Sequence, residues 1–104
     1  MKFIKFQDVA SSANTANVVN YIEAGEIKYV STTATTVIFH SIGAGANVSA
    51  LDTTTITCAS GESIRLADTL MTNIARASRG TILTIDKDSG HSAAAISDIS
   101  YAVV

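Results

Sequence analysis

The chain of 104 residues contains no proline and no tryptophan, a single cysteine and only seven basic side chains. With Cys58 alone, no intrachain disulfide can form, and cysteine usage gives no sign of an oxidising compartment. No apolar run approaches the roughly 18 residues needed to cross a bilayer. The opening Met-Lys-Phe-Ile-Lys-Phe alternates charge and bulk instead of building the apolar stretch of a signal peptide. Residence in the cytosol, away from any membrane, is therefore the expectation. Charged residues make up 15% of the chain and the net charge is −2, which excludes a globally basic nucleic-acid binder but leaves room for a local basic patch. Aromatic residues are also sparse, at 6%, and spread over the strands, so few are placed to stack on bases.

What remains is rich in β-branched residues. Ile and Val together outnumber Leu twenty to four, and there are thirteen threonines. Such side chains fit a pleated surface and lose rotamer freedom in a helix. An apolar fraction of 47% is ordinary for a folded globular chain, and the length suits one domain over residues 1–104. The expectation is a mostly β domain with one helix.

The pattern places strands at residues 1–6, 26–31, 35–42, 53–58, 81–86 and 94–104, with 18–22 readable as strand or turn. Residues 26–31 and 35–42 are close enough to pair as a hairpin, with Ile27 and Tyr29 on one face and Val30 on the other. Residues 9–17 read as a loop, 43–47 as a glycine-marked break and 87–90 as a turn. Thr54, Ile56 and Cys58 alternate against Thr53, Thr55 and Thr57, as in a half-buried strand. Between 62 and 78 the period changes. Ile64, Ala67, Leu70, Met71, Ile74 and Ala75 recur at helical spacing and form one apolar stripe. Ser60 or Ser63 can cap its start, and Gly80 suits a left-handed stop.

Strands begin at residue 1 and run to the last residue, and no proline and few charges guard them. Edges of that kind pair with something, and the economical partner is a second copy of the chain, giving a homo-oligomer. Alternatively the two terminal strands pair with each other and close a barrel.

The polar side of the helix is the most specific candidate site. Arg65, Thr69, Thr72, Arg76 and Arg79 follow steps of four, three, four and three, which sets three guanidiniums along one stripe. Arginine forks suit phosphate oxygens, and the threonines and Asn73 can add contacts. The alternative is a solvated face with Arg65 paired to Asp68. Tyr21 and Tyr29, each near a charged neighbour, are the better candidates for base stacking.

Other motifs carry less. Gly43-Ala44-Gly45 lacks the third glycine and the following helix of a dinucleotide fingerprint. Asp86, Asp88 and Gly90 depart from calcium-loop spacing and read as a turn. His40, His91 and Cys58 lack paired ligand spacing, and Cys58 reads as a core thiol. No Ser, His and Asp set singles itself out as nucleophile, base and orienting group. The expectation is a non-enzyme without metal or cofactor.

The segment Ser78-Arg79-Gly80-Thr81-Ile82-Leu83-Thr84-Ile85 resembles the second signature of Sm-like RNA-binding proteins, an Arg-Gly pair followed by an apolar strand. That resemblance implies a small barrel of five bent antiparallel strands, assembled by edge-strand pairing into a ring. Arg79 and Gly80 would then lie in a loop lining an RNA-binding pore. Here a helix precedes Arg-Gly where the family has a strand, and the first signature is not clear. More broadly, the opening Met-Lys-Phe-Ile-Lys-Phe, the Thr-rich hairpin and the later helix resemble small proteins of marine cyanophages, which implies the cytoplasm of an infected bacterial host. The resulting expectation is a ring that binds RNA or single-stranded DNA through Arg65, Arg76, Arg79, Gly80, Tyr29 and Tyr21. A virion assembly protein is the main alternative, and a small enzyme a third.

Overall fold

The structure is a computed structural model that describes residues 1–9, 16–42, 51–86 and 96–102. Among these residues seven strands and one α-helix form in the order β1 (Phe3–Val9), β2 (Ala16–Glu23), a short 3-10 turn (Ala24–Glu26), β3 (Ile27–Thr32), β4 (Thr36–Ile42), β5 (Leu51–Cys58), α1 (Ser63–Arg76), β6 (Ile82–Asp86) and β7 (Ile96–Ala102). The mostly β, one-helix expectation holds, and 18–22 belongs to a full strand. The expected break at 43–47, the turn at 87–90 and His91 lie outside the described residues.

The strands make two sheets. One has the order β2-β1-β6, with β1 antiparallel to β2 and parallel to β6; the other, β3-β4-β5-β7, is antiparallel throughout. Among the described residues they do not close into a barrel, and the parallel pair departs from the all-antiparallel pattern that the Sm-like resemblance implies. The expected hairpin is present as β3–β4. The first strand does not provide a free edge, because β1 is flanked on both sides. Nor do the terminal strands pair with each other, since β7 pairs with β5. The outer strands, among the described residues, are β2, β6, β3 and β7.

Strand alternation builds the core. Ile4 and Phe6 of β1, Val37 and Phe39 of β4, and Ile56 and Cys58 of β5 all face inward. Phe6 and Phe39 meet edge to face across the sheets, with ring centroids 5.4 Å apart and planes at 63°. Three register shifts interrupt the described ladders, and two of them bear on which residues face the core. The shift between Ile27 and Tyr29 lets both Ile27 and Val30 pack against the core while Tyr29 faces out. The expectation that Ile27 and Tyr29 share a face is thereby corrected. A second shift opposite Thr57 and Cys58 lets Ile96 and Ile99, three residues apart, both be buried.

The helix docks by part of the expected stripe, Ala67, Leu70 and Ile74, while its other expected members face solvent. Its buried residues are Ser63, Leu66, Leu70 and Ile74. Ile64 is 68% exposed and Met71 39%, and Ala75 is exposed as well. The true stripe is rotated about the axis so that Leu66 takes the central place. No described helix is long and apolar enough to cross a membrane.

Candidate functional site

Both ends of α1 are fixed by neighbouring segments. At its start, Gly61 takes φ +83°, a conformation that costs other residues roughly 1 kcal/mol. Its N–H reaches the Ala34 carbonyl at 2.9 Å. Glu62 occupies the N-cap without a side-chain cap. The expected serine cap does not form, because the Ser63 hydroxyl donates to the carbonyl of Thr33, which ties the helix to the β3–β4 turn. At the other end the chain becomes extended at Ala77, and the Lys2 ammonium donates to the carbonyls of Ile74 and Ala75 at 2.8 and 3.2 Å. Gly80, expected as the helix stop, lies beyond it in the turn before β6, with φ +82°. Its N–H meets the Met1 carbonyl at 2.6 Å.

This anchoring presents one polar helix face to solvent. Thr69, Thr72, Asn73 and Arg76, with Asp68, line a shallow groove of about 310 Å³. Arg65 is one turn away and is held at 2.6 Å by Glu62. An exposed pair of this kind is worth roughly 0.2–1 kcal/mol. The Thr69 hydroxyl donates to the Arg65 carbonyl at 2.9 Å, which removes it as a donor to a ligand. Arg76 and Arg79 are exposed. The helix therefore brings Arg65 and Arg76 onto one face, with Arg79 following three residues after the helix ends.

The tyrosines are elsewhere. Tyr29 stacks on His40 on the outer side of the second sheet, with centroids 4.0 Å apart and planes at 16°. His40 in turn shares a 2.8 Å hydrogen bond with Ser31. Tyr21 lies on β2 and lines a separate cleft of about 220 Å³ that shares no residue with the helix groove. Stacking by either tyrosine would need a ligand long enough to leave the arginine face.

That second cleft was not anticipated from sequence. Ser41, Asp52 and Tyr101 line it, and the Tyr101 hydroxyl donates to Asp52 Oδ2 at 2.6 Å. The Asp52 hydrogen bond, then burial and the carboxylate charge, push the Tyr101 phenol up to about 12. The signal available in the sequence was parity: the inward set Thr54, Ile56 and Cys58 extends back to Asp52. The strand begins at Leu51, two residues before the 53–58 pattern.

Cys58 is buried. Desolvation first, and the nearby Glu62 carboxylate second, raise its pKa above the ordinary thiol value, the opposite of an activated nucleophile. Among the described residues no group of three or more His, Cys, Asp or Glu is placed to hold a metal ion. Comparison with family models, curated proteins and solved structures returns no match for this chain.

Proposed function

We propose that this domain is a non-catalytic module that binds single-stranded nucleic acid at its phosphates, through Arg65, Arg76 and Arg79 on the outer side of α1. The observation that carries this reading is the groove beside Arg76, where Thr72 and Asn73 stand next to an exposed guanidinium. Bidentate arginine contacts to phosphate are charge-assisted and need only a solvent-open fork. With Asp68 in the same groove the interaction is weak at physiological salt. Assembly of several copies, placing several such faces along one strand, is what makes it useful.

An Sm-like ring is the finer form of the proposal. The left-handed Gly80 beside Arg79, in a turn opening directly into β6, supports it, as does the β-rich composition. The two separate sheets and the parallel pair speak for a more distant relation. Self-association would use the outer strands, with β6 and β7 as candidates.

The test is titration of a fluorescent oligonucleotide at several salt concentrations. Three phosphate contacts predict a slope of roughly −2 in log K against log salt. Changing Arg65, Arg76 and Arg79 together to Ala abolishes binding; undetectable binding by the unaltered chain at low salt, or full binding by the triple variant, refutes the reading.

A second reading, an assembly subunit of a virus particle, is favoured by the exposed apolar residues where β1 and β6 begin. Phe3 pairs with Ile82, and both are exposed together with Met1. Co-sedimentation with particles distinguishes it.

A further inference from the structure

The outer face of the first sheet departs from the usual alternation of a sheet with one side in water, apolar inward and polar outward. Ile4 pairs with Ile22 on one side and Leu83 on the other, and all three pack in the core. Alternation therefore turns the neighbouring rungs outward. On one rung Glu23, Phe3 and Ile82 stand side by side, and on the next Tyr21, Lys5 and Thr84. Hydrogen bonding between the two parallel segments continues past the strand ends, from the Gly80 N–H to the Met1 carbonyl at 2.6 Å. That bond keeps Met1 beside Phe3. Met1, Tyr21 and Ile82 are each more than half exposed, and Phe3 is 37% exposed. They are four of the eight large apolar side chains exposed among the described residues, so half of that set is gathered on one small face.

We propose that this face is the interface of a two-fold homodimer, in which the first sheets of two copies pack face to face. A sheet with apolar residues on both sides must cover both, and the core covers only Ile4, Phe6, Ile22 and Ile85. Charge selects the occupant. Lys5 and Glu23 lie on adjacent rungs and carry opposite signs, and Asp86 stands at the far end of β6. Nucleic acid or an anionic membrane surface is drawn to a basic face, and this one is not basic. A second copy fits, because a two-fold axis running between Lys5 and Glu23 sets each Lys5 against the Glu23 of the other copy. The same arrangement covers Phe3, Tyr21 and Ile82, with the two sheets about 10 Å apart. Three strands of about five residues span only roughly 14 by 17 Å. That footprint is well below the roughly 800 Å² per partner of a standard interface. The dimer is therefore reversible, with a Kd of about micromolar or weaker. Packing through a sheet face is distinct from pairing along strand edges, and it does not rest on the nucleic-acid reading. Arg65 and Arg76 belong to α1 and stay outside this interface, so each dimer carries two arginine faces.

The test is sedimentation of the full chain from about 1 μM to 1 mM. Nucleic acid is left out, which keeps a failure here separate from a failure of the oligonucleotide titration. The expected result is a reversible monomer–dimer equilibrium. Ile82→Lys, at an exposed site, sets like charges together at the interface and weakens dimerisation about tenfold or more. Lys5→Glu and Glu23→Lys, each alone, weaken it about tenfold for the same reason. An equimolar mixture of those two variants recovers the dimer, as does the Lys5→Glu/Glu23→Lys double variant. Loss of folding cannot produce such a rescue. Met71→Ser, an exposed apolar position on α1, leaves the equilibrium unchanged. The inference is overturned by a monomer at every concentration, whatever else the face then binds, and by association that survives Ile82→Lys. Failure of the mixture to recover the dimer, or an equal loss in Met71→Ser, overturns it as well.

Discussion

The Lys2 ammonium lies 2.8 Å from the carbonyl oxygen of Ile74, across 72 residues of chain. A residue at the very start of the chain thereby closes the C-terminal end of the only helix among the described residues. Carbonyls of the last turn lack intrahelical donors, and a cation there also meets the negative end of the helix dipole. Lys2→Met keeps the aliphatic stem and removes the charge. It is expected to lower stability by about 0.3–1 kcal/mol at low ionic strength, and by less in high salt. Urea denaturation of both proteins at two salt concentrations measures this.

The position of the buried helix stripe gives a sharper contrast. Leu66 is fully buried and Ile64 is 68% exposed, although both are apolar and only two residues apart. Leu66→Ala is expected to cost about 2–5 kcal/mol, from lost transfer energy and the cavity left behind. Ile64→Ala, at an exposed site, falls within about 0.5 kcal/mol of the unaltered chain. Equal effects in thermal or chemical denaturation would overturn the docking geometry.

Residues 64–71 also mark the limit of what the sequence disclosed. A helix was legible because the period changes from two to about 3.6 after Cys58. Its docked face was not, since Ile64, Leu66, Leu70 and Met71 cover much of the circumference and periodicity alone does not rank them. Strand positions were legible from β-branched content, but the three register shifts were not, because a bulge leaves no compositional trace here. One of them turned Tyr29 away from the face of Ile27. The fate of β1 was equally hidden: an apolar terminal strand looks the same in sequence whether it lies at an edge or between two neighbours. The arginine stripe was read directly from spacing. The acidic cleft was not, because Glu23, Ser41, Asp52 and Tyr101 are far apart in sequence and meet only through the register of the second sheet and its packing beside β2.

The environment of Cys58 leads to a kinetic prediction. Its thiol is 5% exposed, and burial with the Glu62 charge raises its pKa, so both access and thiolate population are low. Reaction with an aromatic disulfide reagent at neutral pH is expected to be far slower than for free cysteine and to accelerate with urea in step with unfolding. Fast labelling of the native chain, at the rate of an exposed thiol, would contradict the assigned burial.

The Tyr101–Asp52 pair predicts a stability change at alkaline pH. In the folded chain the phenol is pushed up to about 12 from the ordinary 10.0, first by its hydrogen bond to Asp52 and then by burial. Between those values the native state retains a proton that the unfolded state has lost, so stability falls as pH rises through that interval. Below pH 10 the contribution is present in full, and above about 12 it is gone. Because Tyr101 is partly exposed, its size is on the order of 1 kcal/mol, less than the shift alone implies. Tyr101→Phe removes the titrating group and one donor to a buried carboxylate, at a cost of about 1.5–3 kcal/mol near neutral pH. The difference in unfolding free energy between the two proteins is then expected to shrink as the pH is raised from about 10 to 12, since the unaltered chain loses what the variant never had. Urea titrations across that range measure the difference directly, and a gap that stays constant or widens would mean that the Tyr101 proton is not held by Asp52.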